Sequence, residues 1–70
     1  MSVQDDINKA YTYVSPKPNQ IPRYEEIRAA AKEFAELIAE KCPASRERSL
    51  AFTKLEEVIM WANASIARNS

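Results

Sequence analysis

Neither glycine nor histidine occurs in the 70 residues, and cysteine occurs once. Without histidine there is no imidazole general base, no Ser-His or Cys-His nucleophilic pair and no histidine metal ligand, so most hydrolase mechanisms are excluded. Without glycine there is no phosphate-cradling P-loop, no dinucleotide-binding fingerprint and no glycine-dependent hairpin turn, because those loops need backbone conformations that a Cβ obstructs. Cys42 alone can form neither an internal disulfide nor a multi-cysteine zinc site. A free thiol of this kind is expected to be buried and to fill space. The sequence therefore predicts no metal site, no cofactor and no enzyme. An excess of charge of one sign is also missing: ten basic residues balance ten acidic ones. That neutrality argues against the general attraction by which proteins bind DNA or long RNA, so any anion site must be local. Long hydrophobic runs are missing as well. The uncharged stretch from Val58 to Ala67 is about ten residues, against the roughly 20 that a bilayer-spanning helix requires. Met1 to Asp6 carries two acids and no apolar run behind a basic start, which does not read as a secretory signal. A cytoplasmic protein without membrane contact is expected.

What is present reads as one small folded domain, because 46% hydrophobic and 29% charged residues lie far from the composition of disordered chains. Residues 15 to 22 hold three of the four prolines and should follow an extended, non-helical path. Upstream, Val3 to Thr12 could form a helical turn or two with Ile7, Ala10 and Tyr11 on one side. From Arg23 to about Lys41, Tyr24, Ile27, Ala31, Phe34 and Ile38 recur at alternating intervals of three and four, the stripe of a helix packed along its length. Alanines add propensity, Pro22 suits a first helical position, and Glu25 and Glu26 suit the N-terminal end of the dipole. Cys42-Pro43 should break the helix. Ser45 then caps a second helix to about Ala67, whose seam is Phe52, Leu55, Ile59, Ala62 and Ile66. The fold expected is all-α: an N-terminal arm over 1–22, then an antiparallel two-helix hairpin over 23–68 with helices at about 23–41 and 45–67.

Such a hairpin is short of core. Below roughly 70–80 residues a single core seldom supplies more than about 3–5 kcal/mol without disulfides, metals or oligomerisation. The first two are absent. Leu37 and Ala30 on the first helix, with Leu50, Val58, Met60 and Trp61 on the second, lie off the seams. A second buried surface is implied, and a homo-oligomer that covers these residues would supply it.

Among the residues that could carry chemistry, Glu25, Glu26, Glu33, Glu36 and Glu40 read as a solvated helix face rather than a strained acid pair. Tyr11 and Tyr13 alternate just before the prolines, where a phenol ring either plugs the hairpin or stacks on a planar ligand. Arg28 beside the seam and Arg68 at the end of the second helix are either solvated cations or planar donor forks for phosphate. Trp61 and Asn63 flank the second seam, with oligomer contact the role of Trp61. Arg46 and Arg48 stand at the positive end of a helix dipole, which is unfavourable unless an anion or a carboxylate such as Glu47 answers them.

The order of these features is similar to a known family. An N-terminal tyrosine, a proline-containing arm, Ile27-Arg28-Ala29 followed by Phe34-Ala35-Glu36-Leu37-Ile38, Leu55 five residues before Met60, and a terminal Ala67-Arg68 resemble the small phage anti-defence hairpin proteins. These include anti-CBASS sponges and the related hairpin of anti-Thoeris sponges, and the resemblance covers about residues 11 to 68. It implies a protein that sequesters cyclic nucleotide immune signals without turnover in the cytoplasm of the infected bacterial host. It further implies a ring-shaped homohexamer with ligand pockets between protomers. In that family a tyrosine stacks on a base and a lysine contacts phosphate. Tyr13 and Arg28 match those positions by spacing, arginine keeping the charge and changing the reach. The terminal Ala67-Arg68 matches a site for cyclic trinucleotides near a symmetry axis, so the implied ligands are cyclic dinucleotides and, through Arg68, cyclic trinucleotides. The alternative from the residues alone is a structural or adaptor hairpin that oligomerises or docks on a host protein near Trp61 and Leu50.

Overall fold

The computed structural model describes residues 2–11 and 15–70, and it forms three helices in chain order: α1 (Val3–Tyr11), α2 (Ile21–Lys41) and α3 (Arg46–Asn69). Among the described residues there is no strand. The four residues between α2 and α3 are too few for anything but a reversal, so the two long helices run antiparallel and form the hairpin. The molecule measures 45 × 27 × 16 Å. Among the described residues no helix is long and apolar enough to cross a membrane.

The helix ends follow from local chemistry. Helix α2 begins at Ile21, two residues before the start expected from the sequence, because Pro22 falls in its first turn, where an N–H would have no intrahelical acceptor. The expectation of a non-helical path through residue 22 is corrected to that extent. Glu25 and Glu26 consequently lie beyond the first turn, which holds no acid. At the other end Pro43 drives Cys42 out of the helical region, to φ −110° and ψ 131°, while the Cys42 N–H still donates to the Ile38 carbonyl at 2.9 Å. Ser45 caps α3 as its sequence position predicts. Its backbone is extended, and its Oγ accepts from the Arg48 N–H at 3.1 Å. In α1 the Ser2 Oγ accepts from the Asp5 N–H in the same manner.

Both ends of the hairpin are closed by one polar side chain that reaches the opposite helix. At the connector, Arg48 Nη1 donates to the carbonyls of Cys42 at 3.1 Å and Ala39 at 3.4 Å. Its guanidinium carbon lies 5.9 Å from the centre of the Phe52 ring, within cation–π range. The sequence reading asked for an anion or a carboxylate to answer this arginine; the answer is the carbonyl end of α2, the negative pole of the neighbouring dipole. At the far end Gln20, only 1% exposed, is the one fully buried side chain among the described residues. Its Nε2 donates to the main-chain oxygens of Ser70 at 2.9 Å and Ile66 at 3.3 Å, and its Oε1 accepts from the Lys17 N–H at 3.0 Å. Lys17 Nζ and Arg23 Nη2 add bonds to the Ser70 main-chain oxygen and hydroxyl. The proline-containing segment is thereby tied to the last turn of α3.

Between these closures the apolar seam is only half-covered. No apolar residue among those described is fully buried. Ile27, Ala31 and Ile38 face Phe52, Leu55, Ile59, Ala62 and Ile66 as the spacing predicts, all at intermediate burial. Phe34, expected on the seam, is 53% exposed: with two helices and no third element, a ring at the edge of the interface is covered on one flank only. Cys42 is exposed, contrary to the expectation of a buried thiol, because it caps α2 in a connector that nothing covers. In α1 Val3, Ile7 and Tyr11 are exposed too.

Replacing Gln20 by Leu leaves the α3 carbonyls and the Lys17 N–H without their shared partner and should destabilise the chain by about 1–3 kcal/mol. Ser45→Ala should cost about 1 kcal/mol. Denaturant midpoints at fixed protomer concentration measure both; a Gln20→Leu protein as stable as the parent would show that the clasp contributes nothing.

Candidate functional site

Two surfaces flank the hairpin seam, and they differ in charge. On one flank a shallow groove of about 330 Å³ is lined by Arg28, Ala31, Lys32 and Ala35 from α2 and by Phe52, Leu55, Glu56 and Ile59 from α3. Its floor is the exposed side of the seam, made of small residues on α2 and larger ones on α3. Its walls are two cations one helical turn apart and a carboxylate opposite them. Arg28 and Lys32 are exposed and make no hydrogen bond or ion pair with the described residues, and Glu56 makes none either. No described residue neutralises the charges on this flank.

On the other flank Ile27, Ala30, Ala31 and Phe34 meet Leu55, Val58 and Ile59 in a groove of about 260 Å³ without a charged residue. Around the outside of α3 it continues to Trp61, which shares a surface depression with Val58, Lys54 and Glu57. Lys54 and Glu57 pair at 3.5 Å, so this strip is apolar with its charges internally neutralised. Val58 and Trp61 are 60% and 62% exposed.

The sequence-predicted site residues are distributed as follows. Arg28 lies at the rim of the charged groove. Arg68 is exposed in the last turn of α3. It does not line the charged groove, so the two arginines do not converge on one site. Tyr13 lies outside the described residues. Val58 and Trp61 share the apolar strip, while Leu50 and Met60 are exposed elsewhere on α3. Residues that the sequence reading passed over are Lys32, four positions after Arg28 and legible as its helical neighbour, and Glu56. Gln20 carried no signal, because only the fold reveals that its amide meets the end of α3. One further feature stands out: Asn63 Oδ1 is shut off from solvent and accepts no hydrogen bond from the described residues.

A hairpin with unpaired cations on one flank and uncovered apolar surface on the other is the frame of a small binding protein. A family model described as the Acb2/Tad1 hairpin domain matches residues 4–67, and the chain belongs to this family of phage anti-defence proteins. No curated protein and no solved structure matches the chain significantly.

An acceptor buried without a donor is a standing cost, which an apolar isostere removes. Asn63→Leu should therefore leave the denaturant midpoint unchanged or raise it. A fall would mean that a donor beyond the described residues reaches Oδ1.

Proposed function

We propose that the protein binds and sequesters cyclic oligonucleotide immune messengers without cleaving them, in the cytoplasm of the infected bacterial host, and so keeps CBASS-type effectors inactive. The observation that carries this reading is the family match over 4–67, which spans nearly the whole hairpin. The groove beside Arg28 supports it: an unpaired guanidinium beside an apolar floor suits a compact ligand with phosphodiesters and flat bases. Cyclic dinucleotides are the principal ligands, with Tyr13 stacking on a base and Arg28 contacting phosphate. Cyclic trinucleotides bind separately through Arg68.

The assembly is a homohexamer with ligand pockets between protomers. Its physical motive is the absence of any fully buried apolar residue among those described, since a second copy of the chain covers Leu50, Val58, Met60 and Trp61. Sequestration acts by mass action, so the protein must be made in amounts comparable with the messenger and hold it with a Kd of nanomolar order, about −12 kcal/mol. No catalytic group is needed, in keeping with a chain devoid of histidine. The exposed strip at Val58 and Trp61 would equally serve an adaptor that docks on a host protein, and ligand binding separates the two readings.

A cyclic dinucleotide at 100 times its Kd should raise the stability of the folded protein by about 2.7 kcal/mol and leave intact ligand after heat denaturation. A melting curve that ignores a full panel of cyclic di- and trinucleotides would establish the adaptor; recovered linear product would establish an enzyme. Tyr13→Ala and Arg28→Ala should each weaken dinucleotide binding in calorimetry and leave the mass in light scattering unchanged. Trp61→Ala should lower that mass, and Arg68→Ala should affect trinucleotides alone.

A further inference from the structure

Like charges one turn apart on a helix repel, and α2 sets Arg28 and Lys32 side by side. Three carboxylates are within reach by position, Glu25 one turn before Arg28, Glu36 one turn after Lys32 and Glu56 on the opposite wall, yet among the described residues none forms an ion pair with either cation. On α3 Lys54 pairs with Glu57, and no cation stands three or four positions from Glu56. The lining of the groove thus carries Arg28, Lys32 and Glu56 around an apolar floor, none of them in an ion pair with a described residue.

The two cations suit a phosphodiester, and the carboxylate opposite them disfavours an additional negative charge. A phosphodiester carries a single negative charge, whereas a terminal phosphomonoester carries about −1.5 to −2 at pH 7. Two cations without Glu56 would attract the monoester more strongly, and with it every mononucleotide and linear dinucleotide of the cell. A carboxylate across the groove repels the additional charge, and specificity of this kind is a difference between affinities that a repulsive element can set. A cyclic oligonucleotide has only phosphodiesters, so it pays the least for the presence of Glu56.

We propose that Lys32 and Glu56 complete the ligand groove begun by Arg28: Lys32 is a second phosphate-binding residue, and Glu56 selects cyclic over linear nucleotides by repelling terminal phosphate. The inference rests on the sequestration reading above and adds the basis of its selectivity. At about 330 Å³ the groove is at the low end of the roughly 300–1,000 Å³ of small-molecule pockets, which suits one nucleotide of a dinucleotide.

The test is calorimetric titration of the full chain with cyclic diadenylate and with the linear diadenylate that ends in a phosphomonoester. The parent should prefer the cyclic form. Lys32→Ala should weaken cyclic binding about tenfold, and Lys32→Arg should restore most of it, as expected for a charge-assisted contact. Glu56→Gln should tighten linear binding about five- to tenfold and leave cyclic binding within about twofold, so that the preference narrows. Both side chains are exposed and pair with no described residue, so helicity and the ligand-free melting temperature should not fall. Lys32→Ala binding like the parent, or Glu56→Gln keeping the parent's preference, overturns the inference. If Arg28→Ala loses binding while these variants do not, sequestration stands and the inference falls; a parent that binds neither form and no other cyclic nucleotide sinks both.

Discussion

Two helices cannot enclose a core. A side chain on one helix meets a single partner helix, and both its flanks stay open to solvent unless a third element covers them. The rest of this structure follows from that constraint. Seam residues reach only intermediate burial, Phe34 keeps half its surface in water, and the helix that could have served as a third element, α1, leaves Val3, Ile7 and Tyr11 exposed. The same open flanks form the two grooves beside the seam. What weakens the protomer as a folding unit is what gives it binding surface.

Since apolar burial is incomplete, definition of the hairpin falls to its ends. Arg48 lies near the N-terminus of α3, where the dipole disfavours a cation, and relieves this by reaching the carbonyls that end α2. Gln20 does the converse: it satisfies the carbonyls that end α3 from the segment that precedes α2. Each contact joins opposite poles of antiparallel dipoles through a single side chain. The register of the two helices is thereby set at both extremities, whereas the seam alone, a repeat of similar small and aliphatic residues, would tolerate sliding by a turn. Polar groups are specific because an unmade hydrogen bond is costly.

The fold was largely legible because its determinants are local or periodic. The alternating three- and four-residue spacing located both long helices, Pro43 located the break, and Ser45 located the cap. The errors came where a neighbour decides. Pro22 permitted α2 to start at Ile21, since proline is penalised inside a helix and accepted in its first turn. Cys42 was expected inside on the habits of free thiols, but a helix-capping residue in a short connector has nothing above it. Gln20 offered no pattern at all, because its partners lie 46 and 50 residues away. Of the site, Arg28 was legible and its groove was not: the sequence shows that Lys32 is its helical neighbour, but only the pairing of α2 with α3 sets Glu56 on the opposite wall.

Overall neutrality acquires a meaning in this setting. A chain with a large positive charge would gather nucleic acid and the abundant mononucleotides of the cell, and a binder that acts by stoichiometric capture would be saturated by them. Ten acids and ten bases remove that long-range attraction. On the function proposed above, selectivity is left to charges that meet the ligand directly, and those lining the charged groove are Arg28, Lys32 and Glu56. Screening over roughly 8 Å at physiological salt confines their influence to a ligand already in contact. On that function, discrimination between nucleotides therefore falls to short-range contacts in that groove.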